Sequence, residues 1–126
     1  MTTWNLKGTN HHILICNGSS CMRQGGEEIT QAIRDEIGKY NLDEQIHTTR
    51  TRCNGRCKDA CVVITYPEGV WYRVTTPELG REIISDHLVD GNPLTDLMIY
   101  KFKDEGMVPS KYALLNQGIL KKERVD

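Results

Sequence analysis

The residues best equipped for chemistry in this 126-residue chain are its five cysteines. Four residues separate Cys16 from Cys21, and a second cluster, Cys53, Cys57 and Cys61, follows with three residues between each. Two thiol groups on separate segments can grip one metal centre, since the thiolate is the ligating form of cysteine. An odd, clustered set makes a poor disulfide framework in a reducing compartment, so metal binding or redox catalysis is favoured.

The elements around these residues are expected to bring both clusters to one place. Ile13, Leu14 and Ile15 suit a short buried strand that ends at Cys16, leaving the first pair on a loop. After Gly25 and Gly26, the residues Ile29, Ala32, Ile33 and Ile37 recur at helical spacing. Glu27 and Glu28 fall in the first turn and Gly38 acts as a stop, so this is an amphipathic helix. Gln45 to Arg50 reads as a second strand that delivers the chain to Cys53. Val62 to Tyr66, the turn Pro67-Glu68-Gly69, and Val70 to Val74 form a β-hairpin. Thr76, Pro77 and Glu78 open another helix, with Leu79, Ile83, Ile84 and Leu88 as its buried stripe. The order is β-α-β, then a hairpin, then α, an α/β arrangement with a mixed sheet in the thioredoxin-like order. Leu94 to Phe102 is expected to add one extended segment. A domain over 1–102 and a polar tail over 103–126, helical in part or ordered by a partner, are therefore expected.

Composition bounds the rest. A chain of this length fits one domain, and 38% hydrophobic with 26% charged residues is ordinary for a globular protein. A formal net charge of -1 supplies no global field for nucleic acid or anionic lipid, so neither is an expected partner. No stretch approaches the roughly 18 apolar residues that span a bilayer, and Met1 to Asn10 lacks a signal-peptide pattern. A cytoplasmic location is expected.

Four thiolates in two pairs are what a two-iron cluster requires, and the two cysteine segments can supply them. Asn17, Gly18, Ser19, Gly55 and Ala60 are small residues that let backbone amides approach sulfur closely. Within the second segment Cys57 and Cys61 are alternatives at the same step. The strand His12 to Cys16 running into a cysteine, the Cys53-x3-Cys57 pair and the run from Val62 to Tyr72 together resemble the thioredoxin-like [2Fe-2S] ferredoxins. That family is related to the small cluster-bearing subunit of respiratory NADH dehydrogenases. The resemblance covers His11 to Tyr100. It implies a [2Fe-2S] cluster on Cys16, Cys21, Cys53 and Cys57, with Cys61 at a position where the family carries no ligand. It also implies a one-electron carrier rather than an enzyme, redox proteins as donor and acceptor, and a homodimer. Similar small ferredoxins accompany cobalamin synthesis, which suggests a corrin-pathway partner.

Arg23, Arg50, Arg52, Arg56 and Lys58 lie beside the cysteines and are candidates to offset cluster charge and dock an acidic partner, or else are ordinary solvated loop residues. Structural zinc would also take four thiolates and make the chain an interaction module, but zinc knuckles use two-residue spacing. A thiol-disulfide oxidoreductase would need a Cys-x-x-Cys pair, which does not occur. His11, His12, His47 and His87 are not placed on the loop side of any cysteine. Structural positions are expected for them, as is packing for Trp71 and Tyr72 and a small buried role for Cys61.

Overall fold

The computed structural model describes residues 1–123, so the end of the expected tail, 124–126, lies outside the described residues. The β-branched run Val62–Tyr66 forms β3, and it pairs antiparallel both with β1 (His11–Cys16) and with β4 (Val70–Arg73). β1 pairs in parallel with β2 (Ile46–Thr51), a pairing that requires the crossover through helix α2 (Gly26–Lys39). The chain then adds β5 (Met98–Lys103) and β6 (Gly106–Pro109), giving one mixed six-stranded sheet in the order β2-β1-β3-β4-β5-β6.

The apolar periodicity of α2 has the expected result: Ile29, Ala32, Ile33 and Ile37 are all buried. Each fully buried isoleucine contributes about 2 kcal/mol of transfer free energy. α2 packs on α3 (Pro77–Glu82), which begins as the sequence indicates, with the Thr76 hydroxyl accepting from the Leu79 N–H at 3.2 Å. Gly80 permits this packing, because a Cβ there would stand 3.2 Å from Ile33 Cγ1. α3 then widens into π-helical turns over Ile83–Val89, placing Ile83 and Ile84 in the core.

Four expectations need correction. Gly38 does not stop α2; the helix runs to Lys39, and Asn41 takes the left-handed backbone, with φ 56°, that turns the chain. The segment after Cys16 is not a bare loop, since Ser19–Arg23 forms a short helix, α1. The extended segment expected from Leu94 begins only at Met98, after a single turn at Thr95–Leu97. Residues 103–123, expected as a tail, supply the end of β5, β6, helix α4 (Lys111–Leu115) and a final turn at Lys121–Glu123.

Two polar pairs lie apart from the cysteine segments. Tyr72, fully buried, accepts from the Leu94 N–H at 3.1 Å and lies 2.8 Å from His87 Nδ1. His11 meets Glu68 at 2.7 Å.

Candidate metal centre

β1 is a core strand: Ile13 and Ile15 have no exposed surface, and its last residue, Cys16, is 2% exposed. Asn17 turns the chain out of the strand, its side-chain amide donating to the Ile15 carbonyl at 3.1 Å and to the Thr30 hydroxyl at 3.3 Å. α1 then buries Cys21, which is 3% exposed, against the sheet. We call this the inner arm.

The outer arm leaves β2, where Asn54 Nδ2 donates to the Thr51 hydroxyl at 2.7 Å and fixes the bend that exposes Cys53. Cys57 opens a single helical turn, Cys57–Asp59, and its sulfur lies 3.3 Å from that of Cys53. The turn is pinned from below. Asp59 is fully buried, 2.7 Å from the Arg56 guanidinium and 2.9 Å from Asn116 Nδ2. Arg56 also donates to the Ala113 carbonyl at 3.3 Å and covers the Tyr100 ring at 5.3 Å.

The arms meet at Gly18. A Cβ there would lie 2.9 Å from both the Cα and the N of Cys53, so only glycine lets the segments approach this closely. The Asn17 N–H donates across to the Thr51 carbonyl at 2.8 Å, and the Cys16 thiol to the Arg52 carbonyl at 3.5 Å. Between the arms is a cavity of about 160 Å³ lined by Cys16, Cys21, Cys53 and Cys57, with Gly18 and Asn54.

One main-chain amide points at a sulfur, the Gly55 N–H reaching Cys53 Sγ at 3.3 Å. The backbones of Gly18 and Asn54 favour the thiolate at Cys16, and that of Val62 favours it at Cys21. Burial pushes the Cys16 thiol above its ordinary range, with the Gly18 and Asn54 backbones acting in the opposite direction. The neighbouring Cys61 thiol and then burial push Cys21 up, and the adjacent Cys53 does the same to Cys57. Metal uptake would therefore have to displace protons held by the fold.

The donor set suits a group larger than one ion. Among the described residues no three His, Cys, Asp or Glu side chains gather as a single-ion site, whereas four thiols border one cavity, with the Gly55 N–H on Cys53 Sγ. Cys61 is fully buried, does not line the cavity, and donates to the Cys16 carbonyl at 3.3 Å. None of the histidines lines it either: His12 and His47 sit in register on β1 and β2, and His87 is held by Tyr72. Of the basic residues singled out, Arg56 is committed to Asp59 and Arg50 faces Glu27 at 3.9 Å. Sequence reasoning missed Asp59, Asn54 and Asn116; a lone carboxylate in a polar loop carries no local sign that it is buried.

A family profile described as thioredoxin-like [2Fe-2S] ferredoxin matches residues 2–87. A Priestia megaterium protein named "Putative 2Fe-2S ferredoxin" is 54% identical over 119 residues, covering 94% of this chain and 93% of the relative. A Clostridium pasteurianum protein named as a 2Fe-2S ferredoxin is 31% identical over 97 residues, 71% of this chain and 95% of its own length. Among solved structures, that of a thioredoxin-like [2Fe-2S] ferredoxin from Aquifex aeolicus superposes with a TM-score of 0.68 at 32% identity, covering 79% of this chain and 99% of that one.

Proposed function

This chain belongs to the thioredoxin-like [2Fe-2S] ferredoxins, and from that premise we propose that it carries single electrons on a cluster held by the thiolates of Cys16, Cys21, Cys53 and Cys57. It is an electron carrier and not an enzyme. The observation that supports this ligand set is the single cavity that these four thiols share, with Cys61 outside it. When bound, a [2Fe-2S] cluster supplies a reversible one-electron couple.

The chain's own residues set the conditions for that couple. The inner arm is held by the sheet and by α1, which restricts movement of its two sulfurs. The Gly55 N–H stabilises negative charge on the Cys53 sulfur, the backbones of Gly18, Asn54 and Val62 favour it on Cys16 and Cys21, and that stabilisation grows as an electron arrives. The buried sulfurs are kept from water, while Cys53 and Cys57 form the solvent-facing wall.

The donor and acceptor are redox proteins, and the family resemblance points to an enzyme of cobalamin synthesis as one of them, with a homodimer as the working assembly. Among the described residues no helix is long and apolar enough to cross a membrane. An anaerobic visible spectrum with iron and sulfide assays tests the reading, followed by electron paramagnetic resonance after dithionite reduction. Two irons and two sulfides per chain with a spin-half signal, and a potential nearer the plant-type value of about -400 mV than the Rieske range, are expected. A colourless protein holding one zinc ion would overturn it.

A further inference from the structure

The exposed wall of the cavity continues into a groove of about 360 Å³ that begins at Cys57 and is lined by Arg23, Lys58 and Arg73, with Gln24 and Thr75 between them. Among the described residues no Asp or Glu lines this groove. Arg23, Lys58 and Arg73 are solvent-exposed, and among the described residues none is within 4.0 Å of a carboxylate; Arg23 donates only to the Ser20 hydroxyl, at 3.2 Å. Asp96 shares the adjoining cavity with Arg73. Two of the basic residues that flank the cysteines in sequence do not contribute, because Arg56 is neutralised by Asp59 and Arg50 faces Glu27. Arg73 does contribute, because β4 ends at the cysteine end of the sheet, where Val62 pairs with Arg73.

A chain of net charge -1 thus concentrates three unpaired cations beside one solvent-facing thiol. The geometry points to this groove as the docking surface of the redox partner, with an acidic protein face seated on Arg23, Lys58 and Arg73 and the electron crossing at Cys57. The inference rests on the electron-carrier reading and names the partner's chemistry and the side of exit. In each transfer this protein loses one electron and the partner gains one; no bond forms or breaks. Clustered unpaired charge steers association more than it adds affinity, and its effect is screened by salt.

The test is stopped-flow oxidation of the dithionite-reduced protein by a pair of probes of opposite charge, tris(oxalato)cobaltate(III) and hexaamminecobalt(III). The variant Arg23→Gln/Lys58→Gln/Arg73→Gln is compared with Lys7→Gln/Lys39→Gln/Lys103→Gln, which has the same net charge and alters exposed sites outside the groove. At low ionic strength the groove variant should react about tenfold more slowly with the anionic probe and faster with the cationic one, while the control changes less than about twofold. The difference should collapse near 0.5 M salt. Equal rates for the two variants, with iron content and the spin-half signal both as in the parent, would overturn the docking surface and leave the carrier reading intact. A parent protein that takes up no cluster would overturn both.

Discussion

The arm that carries Cys16 and Cys21 extends a fully buried strand, whereas the arm that carries Cys53 and Cys57 leaves an edge strand and is held by side chains brought from elsewhere. The inner thiols are 2% and 3% exposed, and the outer ones face solvent. The inner arm inherits its rigidity from the hydrophobic core. The outer arm depends on a few polar contacts and one close backbone approach, and in exchange it gives the centre an accessible side.

The largest break in this comparison comes at the sulfurs. Cys57→Ser should lose the cluster or force a switch of ligand to Cys61, whereas Cys61→Ser should retain two irons and two sulfides per chain. Metal assay and the reduced-state resonance decide between them, and the reverse pattern would reassign the fourth ligand. Next comes the anchor below the outer arm. Asp59→Asn leaves the Arg56 guanidinium, 10% exposed, without its counter-charge, and should cost about 3 kcal/mol in denaturant unfolding. If the arm were self-supporting, the loss would be a few tenths.

Gly18→Ala probes the seam between the arms. Its backbone, at φ -66°, tolerates alanine, so the clash with Cys53 is the whole effect. About 2 kcal/mol of stability should be lost, with lower iron content at equal expression. Unchanged loading would mean that the seam can relax. The smallest effect sharpens the contrast from a polar pair apart from the cysteine segments. Burial holds His87 below the ordinary histidine range; Glu68 opposes this, while His11 and Lys101 reinforce it. The unfolded chain therefore takes up a proton near pH 6.5 that the folded chain resists, so stability is intact above that pH and falls below it. His12, lowered by burial and then by His47, adds a slope of the same sign. His87→Gln should flatten the loss between pH 7 and 5.5 by no more than about 1.4 kcal/mol per pH unit. An unchanged slope would exclude His87 as a source of the acid sensitivity.

What was legible in the sequence was what local pattern encodes. The helical spacing of Ile29, Ile33 and Ile37, the β-branched run at Val62 and the turn at Pro67-Glu68-Gly69 each declare an element within a few residues, and they place both cysteine segments at one end of the sheet. α1 is five residues long and too short to show a period. β6 carries Met107 and Val108, both exposed, so no alternation marks it; its pairing with β5 defines it. The anchor of the outer arm was the least readable part, since Asp59 finds Asn116 across 57 positions. The same holds for Arg73, which only the antiparallel register of β3 and β4 brings beside Cys57.

That anchor has a consequence for how the protein is made. Ala113 and Asn116, which hold Arg56 and Asp59, are translated after both cysteine segments and after the four strands that frame them. A growing chain thus presents all four thiols before the residues that secure the outer pair have been synthesised.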